Sequence, residues 1–238
     1  MLAPFKQIHI SEKIVSLCFE TTRNCDIKGL KKKLHGDFPS LHEVTHTFNR
    51  INLIFDKSID TSRITAKIDE IDWSYFKAEQ SHEYWEIPIC FDAHYPCDLM
   101  TVFNGDKAAV EAYKKTFLST TFYLEFYGFL PGFGYLSGLP KECHLDRKST
   151  ANHTTLKGTV AVGGAQTGVY PQDSPGGWQA IGYSPVTWMD PQAHPPIFVQ
   201  PRDAVRFKQV TLDECRKILA LVQTGEYTPQ KQAHDNGH

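Results

Sequence analysis

Glycine and proline are concentrated in one part of the chain, and this concentration restricts how that part can fold. Residues 128–201 contain 11 of the 16 glycines and 9 of the 14 prolines. Because glycine weakens helices and proline removes a backbone donor, long helices are excluded from this stretch. Short apolar and β-branched runs alternate there with turn residues. The pattern therefore predicts a barrel or sandwich of short strands.

The elements expected in this region define a mainly-β barrel domain over residues 86–227. Several runs have the length and composition of strands, namely TTFYLEFYGF, GTVAVGG, GGWQAIGYSP, PPIFV and AVRFKQV. A helix is predicted at about 106–117, and a last helix is capped by Thr211 and ends at Gly225. Residues 228–238 lack apolar periodicity and are predicted to form a disordered tail.

Residues 1–85 predict a two-layer α+β domain. Strands are expected at about 5–10 and 14–20, followed by a helix that Asn24 caps and Gly36 ends. Two strands, LHEVTHTF and INLIFD, precede a helix from Thr61, and EYWEIPICF supplies the last strand. This β-α-β-β-α-β order, behind one extra leading strand, is that of the ferredoxin-like split βαβ fold.

Composition and charge exclude several classes of function. Lys and Arg total 25 and Asp and Glu 27, so the net charge of −2 does not supply the basic surface of a nucleic-acid-binding protein. No run of about 18 apolar residues predicts a membrane span, and no signal-peptide pattern is found. Six cysteines without a C-x-x-C pair are typical of a reduced, cytoplasmic protein.

One metal-binding motif occurs, but its surroundings argue against a metal site. His42-Glu43-Val44-Thr45-His46 matches H-E-x-x-H, which binds zinc when it lies on a helix. The β-branched residues around it predict a strand instead, on which the two histidines would lie about 13 Å apart. We therefore expect no metal ligands here.

Two aromatic segments punctuated by glycine, residues 126–140 and 158–185, contain the strongest functional signal. Barrel turns and core packing explain their glycines and aromatics. That explanation leaves out a group of polar residues among the turns: Gln166, Thr167, Tyr170, Gln172 and Asp173. At a barrel mouth, such side chains and neighbouring backbone N–H groups would face a small ligand.

These segments resemble the hallmark sequences of the family that contains the B subunit of 5-oxoprolinase, allophanate hydrolase subunit 1 and the sporulation-kinase inhibitor. Residues 128–139 match the pattern G-F-x-P-G-F-x-Y-L-x-G-L, and Arg147 and Lys148 match an R-K pair. Residues 158–185 match a longer pattern that contains Q-T-G-[IV]-Y-P and P-G-G-W. The resemblance implies a cyclophilin-like barrel after an α+β domain. At residues 151–156, two arginines and two prolines of the usual pattern are absent.

The resemblance also implies an activity and partners. Family members open 5-oxo-L-proline to L-glutamate with ATP hydrolysis, in a complex with proteins related to the A and C subunits of 5-oxoprolinase. For this chain it implies a subunit that is active only in such a complex, which uses the ATP. The alternative is a non-catalytic protein that inhibits a sensor histidine kinase, as one family member does, and the absent arginines favour it. Prolyl isomerisation rests on fold analogy alone and ranks last.

The reaction requires groups that bind anions, stabilise an oxyanion and activate water. We assign Asp98 as the base, with His94 either substituting for it or assisting it. Substrate and anion binding is assigned to residues of the matched segments: Arg147, Lys148, Gly163, Gly164, Gln166, Thr167 and Tyr170. In this set the basic pair binds anions, the backbone around the two glycines stabilises the oxyanion, and Gln166 and Tyr170 orient the substrate.

Structural roles are open for several of these positions. Arg147 could bridge two loops, and Asp98 could cap the turn that begins at its own position. Trp178 is expected to be a core residue rather than a ligand contact.

Overall fold

The chain divides into two units, residues 1–80 and residues 81–238. A computed structural model describes residues 6–19, 25–47, 49–76 and 83–233. The division precedes the boundary at residue 85 that the sequence predicts. The reason is that the strand Glu83–Ile89 pairs with strands of the second unit.

The first unit is a four-stranded antiparallel sheet with two helices. Its elements are β1 (Lys6–Ser11), β2 (Ile14–Cys18), α1 (Ile27–Asp37), β3 (Leu41–His46), β4 (Arg50–Phe55) and α2 (Thr61–Asp69). The strand order is β1-β2-β4-β3, so β4 lies between the strands that α1 connects. Alternate residues of β4, Ile51 and Leu53, share one core with Leu30 and Leu34 of α1 and Ile68 of α2.

Three expectations for this unit need correction. The strand EYWEIPICF does not belong to this sheet, and β1 forms the edge beside β2. Gly36 lies inside α1, which continues to Asp37 without a left-handed residue. The side chain of Asp26 caps α1 by accepting the N–H of Gly29, whereas Asn24 lies outside the described residues.

The segment that carries the H-E-x-x-H motif is a strand, as predicted. His42 to His46 lie on β3, which pairs with β4 along its length. The ring of His42 lies 3.1 Å from a carboxylate oxygen of Asp56 at an exposed position. The motif therefore contributes sheet residues and a surface contact.

The second unit contains an eight-stranded sheet, a two-stranded sheet and three α-helices within the described residues. Its elements are β5 (Glu83–Ile89), α3 (Leu99–Val102), α4 (Lys107–Ser119), β6 (Phe122–Tyr127), β7 (Gly134–Ser137), β8 (Asn152–Thr155), β9 (Thr159–Gly163), β10 (Gln166–Val169), β11 (Ser174–Gly176), β12 (Gln179–Tyr183), β13 (Ala204–Gln209), α5 (Leu212–Thr224) and β14 (Gln230–Ala233). The larger sheet has the order β12-β9-β10-β7-β6-β13-β5-β14, and β8 pairs with β11.

The chain after β5 covers the outer edge of β12. Cys90, which directly follows β5, exchanges two backbone hydrogen bonds with Tyr183, with N–O distances of 2.7 and 2.9 Å. Asp98 donates its backbone N–H to the carbonyl oxygen of Ala180 at 2.6 Å. These bonds connect β12, at one end of the strand order, to the chain that leaves β5 near the other end.

Two further expectations are corrected here, and one is confirmed. Residues 195–199, PPIFV, form bends rather than a strand because their two prolines lack backbone donors. The segment expected to be a disordered tail contains β14, which pairs with β5, while residues 234–238 lie outside the described residues. Helix α5 has the predicted ends, because Thr211 forms a capping box with Glu214 and Gly225 is left-handed.

The larger sheet packs apolar side chains against both faces of β9. Val160 and Val162 belong to the main core of the unit, whereas Ala161 points to the other face. On that face lies an aromatic cluster, which we define as Phe133, Tyr135, Tyr170 and Trp178, with ring centroids 5.1 to 5.7 Å apart where they contact.

Glycines in the strands make room for this aromatic cluster. A Cβ atom at Gly163 would lie 2.6 Å from Cε2 of Trp178, and one at Gly168 would lie 2.7 Å from Cζ of Phe133. Neither distance is compatible with a side chain. The glycine pattern of the sequence is therefore explained by rings that lie directly on the strand backbone.

We expect Gly168→Ala to destabilise the second unit by about 1–3 kcal/mol, because the added methyl group overlaps the ring of Phe133. Urea denaturation measures this loss. The matched control is Gly177→Ala, where the nearest neighbour of the new methyl group would be the Cβ of Ala151 at 3.7 Å. The control is expected to change stability by at most about 0.5 kcal/mol. Equal effects of the two variants would contradict the packing explanation.

Candidate functional site

The segment from Leu145 to Lys148 is attached to the ends of several strands. Leu145 forms an antiparallel bridge with Gly164 in the turn between β9 and β10. The backbone N–H of Lys148 donates to the carbonyl oxygen of Gly177, just before β12, at 2.8 Å. The basic pair of the hallmark sequence is thereby held beside the turn and the start of β12.

Arg147 lies with its guanidinium over the ring of Trp178. The distance from Cζ to the ring centroid is 5.7 Å, within the range of a cation–π contact. Trp178 is 8% exposed and packs against the backbone of Gly163, whereas Arg147 is exposed. In the part of the chain that the structure describes, no acidic side chain pairs with Arg147. An oriented cation without a counter-charge therefore faces solvent.

Gln166 lies on the same face of the sheet as Trp178. It is the direct partner of Gly163 across the β9–β10 hairpin, and directly paired residues point to the same side. Its side chain is half-buried, and the described residues offer its amide no hydrogen bond. We call Arg147, Trp178 and Gln166 the guanidinium platform. It places a planar cation and an amide without a described hydrogen bond on the same face of the sheet, and both groups suit a carboxylate or phosphate oxygen.

Asp98 and Lys148 form an ion pair next to this platform. The Nζ atom of Lys148 lies 2.7 Å from Oδ2 of Asp98, and the side chains are 17% and 27% exposed. The same oxygen accepts the backbone N–H of Ala180 at 2.6 Å. Asp98 occupies the N-cap position of α3, as the structural alternative expected, but its side chain makes no capping hydrogen bond there. Its second oxygen, Oδ1, has no partner among the described residues.

His94 contacts neither member of this ion pair. It is exposed, its backbone N–H donates to Asp92 at 2.9 Å, and its ring packs edge-on against Tyr95 at a centroid distance of 5.2 Å. Tyr95 in turn stacks on Tyr183 with centroids 4.0 Å apart. The structure thus brings Asp98 and Lys148 together and leaves His94 in a separate aromatic contact.

Thr167 and Tyr170 are buried beneath the surface. Thr167 is fully buried and pairs with Leu136 and Val162 of the main core. Tyr170 is 2% exposed and packs in the aromatic cluster. The alternation of β10 explains the burial of Thr167, because a residue between Gln166 and Gly168 points to the opposite face. Tyr170 is covered by the aromatic cluster, in which its ring packs edge-on against Phe133. Neither side chain lines the surface of the platform, contrary to the expected ligand contact.

The turn glycines do not supply free backbone donors either. The N–H of Gly164 donates to the carbonyl oxygen of Leu145 at 2.7 Å. Gly163 is buried in its pairing with Gln166. Gly164 has a left-handed φ of +64°, and no atom lies within 4 Å of the position that a Cβ atom would take. The turn therefore needs a glycine here for its backbone conformation rather than for space. The expected oxyanion donors at these two glycines are therefore engaged or covered.

Burial dominates the pKa shifts of one phenol in the aromatic cluster and of two thiols elsewhere in the second unit. Burial raises the pKa of the Tyr135 phenol, while the charge of Arg147 acts in the opposite direction. Burial likewise raises the pKa of the Cys143 and Cys215 thiols to about 11. These shifts favour the protonated phenol and thiols at neutral pH.

Two cavities lie away from the platform. One, of about 390 Å³, is lined by residues of β5, β13 and α5 and by Tyr227. The other, of about 380 Å³, lies in the first unit beside Phe38, Arg63 and Lys67. Among the described residues, no group of three or more His, Cys, Asp or Glu side chains is arranged to hold a metal ion. No helix in those same ranges is long and apolar enough to cross a membrane.

Two residues of the site were missed by the sequence analysis. Trp178 was expected only in the core, yet its ring also supports the guanidinium of Arg147. Gln179 was not considered, yet its side-chain amide donates to the carbonyl oxygen of Asp146 at 3.0 Å. Both residues directly follow Gly176 and Gly177 of the hallmark segment, and this position is the sequence signal that could have marked them as part of the candidate site.

Comparison with known proteins gives one family. A family model described as carboxyltransferase domain, subdomain C and D, matches residues 7–199. The B subunit of the 5-oxoprolinase of Haemophilus influenzae is 31% identical over 166 residues, which are 69% of this chain and 78% of that protein. The protein of the same name from Escherichia coli O157:H7 is 32% identical over 176 residues, 72% of this chain and 79% of that one.

A solved structure agrees in fold. The urea amidolyase of K. lactis superimposes with a TM-score of 0.72 at 17% identity. The match covers 96% of this chain but only 16% of the amidolyase chain. At this identity the likeness concerns the fold alone.

Substitution of Asp98 should separate its two interactions. Asp98→Asn removes the charge that pairs with Lys148 and is expected to cost about 1 kcal/mol. Asp98→Ala also removes the acceptor of the Ala180 N–H, which is expected to cost about 1–3 kcal/mol more. Urea denaturation of both variants measures the difference. If the two variants lose the same stability, the hydrogen bond to Ala180 does not support the edge of β12.

Proposed function

Because the chain belongs to the carboxyltransferase domain family, subdomain C and D, we propose that it acts as the B subunit of a 5-oxoprolinase-type hydrolase. Its complex would open 5-oxo-L-proline to L-glutamate with ATP hydrolysis, and the chain would act only together with partners related to the A and C subunits. The two relatives that carry the name of the 5-oxoprolinase B subunit support this assignment.

One observation carries the proposal: the exposed guanidinium of Arg147 rests on Trp178 without an acidic partner among the described residues. An arginine fixed in this way is suited to bind a carboxylate through two parallel hydrogen bonds. The substrate 5-oxo-L-proline has one carboxylate and one lactam amide. In the proposal, Arg147 binds the carboxylate and the amide of Gln166 orients the lactam group.

The ion pair next to the platform supplies the proposed base. Oδ2 of Asp98 is occupied by Lys148 and Ala180, while Oδ1 is left to accept a proton from water. Lys148 is engaged by Asp98 and takes part in anion binding only when the ion pair opens. His94 lies apart from this pair, so we no longer assign it a catalytic role.

ATP belongs to the proposal as a substrate of the complex. It would supply the phosphoryl group that activates the lactam oxygen. A triphosphate requires several free N–H donors and cations. The turn amide of Gly164 is engaged by the carbonyl oxygen of Leu145, and the ammonium group of Lys148 is engaged by Asp98. The residues of the platform fit one anionic group. We therefore assign the nucleotide site to the complex rather than to the residues of this chain.

The finer fold and cellular assignments are part of the same proposal. We take the second unit to be a cyclophilin-like barrel and the first to be a variant of the ferredoxin-like split βαβ fold, with β1 at the edge. We take the protein to be cytoplasmic, as the cysteine pattern of the sequence suggests.

A second function is favoured by one residue outside the platform. Phe129 is 63% exposed, has a left-handed φ of +65°, and contacts Phe133 edge-on. A strained backbone that holds a ring in solvent is found at functional positions, and this ring is accessible to a partner. This favours a non-catalytic protein that binds and inhibits a sensor histidine kinase. Co-purification separates the two: capture of a kinase, without the A and C subunits, would support the second function.

The test of the main proposal is substitution of Arg147 in the complex. With the A and C subunits co-expressed, we expect Arg147→Ala to lower kcat/KM for 5-oxo-L-proline by on the order of 100-fold, because the carboxylate loses its charged partner. ADP release that depends on 5-oxo-L-proline measures this. Arg216, an exposed arginine of α5, provides the control Arg216→Ala. Unchanged turnover by Arg147→Ala would remove the platform from the site.

A further inference from the structure

Gln179 contacts the peptide group that precedes Arg147. Its Nε2 atom donates to the carbonyl oxygen of Asp146 at 3.0 Å. That oxygen and the backbone nitrogen of Arg147 belong to one planar peptide group. A hydrogen bond to the oxygen therefore restricts the direction in which the Arg147 side chain leaves the backbone.

Neighbouring residues thus hold the two ends of Arg147. Trp178 lies under the guanidinium, and Gln179 holds the backbone from which that side chain extends. The other attachments of the segment are the backbone hydrogen bonds of Leu145 and Lys148 and the ion pair of Lys148 with Asp98. Among the described hydrogen bonds, the one from Gln179 is made by a side chain to the peptide group that precedes Arg147, so substitution of Gln179 removes it.

We propose that Gln179 is a positioning residue that orients the guanidinium of Arg147 for a carboxylate ligand. The inference rests on the proposed function for the identity of the ligand, 5-oxo-L-proline. Without the hydrogen bond, the segment from Leu145 to Lys148 keeps its backbone attachments, but the peptide group of Asp146 and Arg147 is free to rotate. The cation then spends less time in the orientation that binds the carboxylate.

The variant Gln179→Met tests this, because methionine has a similar length and no donor. In the complex with the A and C subunits, we expect KM for 5-oxo-L-proline to rise about tenfold, with kcat changed less than about twofold. The midpoint of thermal unfolding should stay within about 2 °C. A fall in kcat with KM unchanged would overturn the inference.

A matched control exists in the same unit. The Nε2 atom of Gln200 donates to the carbonyl oxygen of Ile197 at 2.8 Å, which is the same kind of hydrogen bond at a site without Arg147. Gln200→Met should leave KM and kcat unchanged. If it raises KM as much as Gln179→Met, the effect is a general loss of structure and the inference is wrong.

Hydrogen exchange of the full chain separates this inference from the proposed function. In Gln179→Met, we expect the amide of Lys148, which donates to the carbonyl oxygen of Gly177, to exchange about tenfold faster, whereas Gln200→Met leaves it unchanged. Gln179→Lys retains an N–H donor and should keep the protection. Absence of faster exchange in Gln179→Met overturns the inference, whatever the activity. If exchange rises but the wild-type complex does not turn over 5-oxo-L-proline, the proposed function fails while the positioning of Arg147 stands.

Discussion

The contact between an indole ring and a strand without side chains is the constraint on which the candidate site depends. Trp178 lies against the backbone at Gly163, where a Cβ atom would be 2.6 Å from the ring. This contact brings the ring to the surface of the sheet, where it supports the guanidinium of Arg147. The direct partner of Gly163 is Gln166, so the same pairing sets the position of the amide. A larger residue at 163 would displace all three groups of the guanidinium platform.

The two basic residues of the hallmark pair have different electrostatic environments. Lys148 is neutralised by Asp98, which also accepts a backbone hydrogen bond from the edge of β12. Arg147 is next to it in sequence but stacks on a ring and has no described acidic partner. One cation is therefore engaged within the structure, while the other faces solvent. This division fits the proposal that a partner protein completes the site.

Much of the fold could be predicted from local patterns, and the exceptions have a common cause. The capping box at Thr211 and the strand over the H-E-x-x-H motif follow from residues close in sequence. The strand Glu83–Ile89 was assigned to the wrong sheet, and β14 was missed, because their pairing partners lie far away in the chain. For the site, the hallmark segments identified Arg147, Lys148 and Gln166. They did not reveal that Thr167 and Tyr170 point inward or that the Gly164 amide is engaged.

The sequence by itself determined the family, the short-strand architecture of the second unit and the positions of the glycines on which aromatic rings pack. These properties depend on residue type and spacing, which a single chain displays directly. The tertiary structure decided which cation is neutralised, which polar side chains reach the surface and which side chain holds the peptide before Arg147. Such features depend on the alternation of β10 and on hydrogen bonds between distant segments, such as those of Asp98 with Ala180 and Gln179 with Asp146. These hydrogen bonds contribute to stability only after the strands have paired.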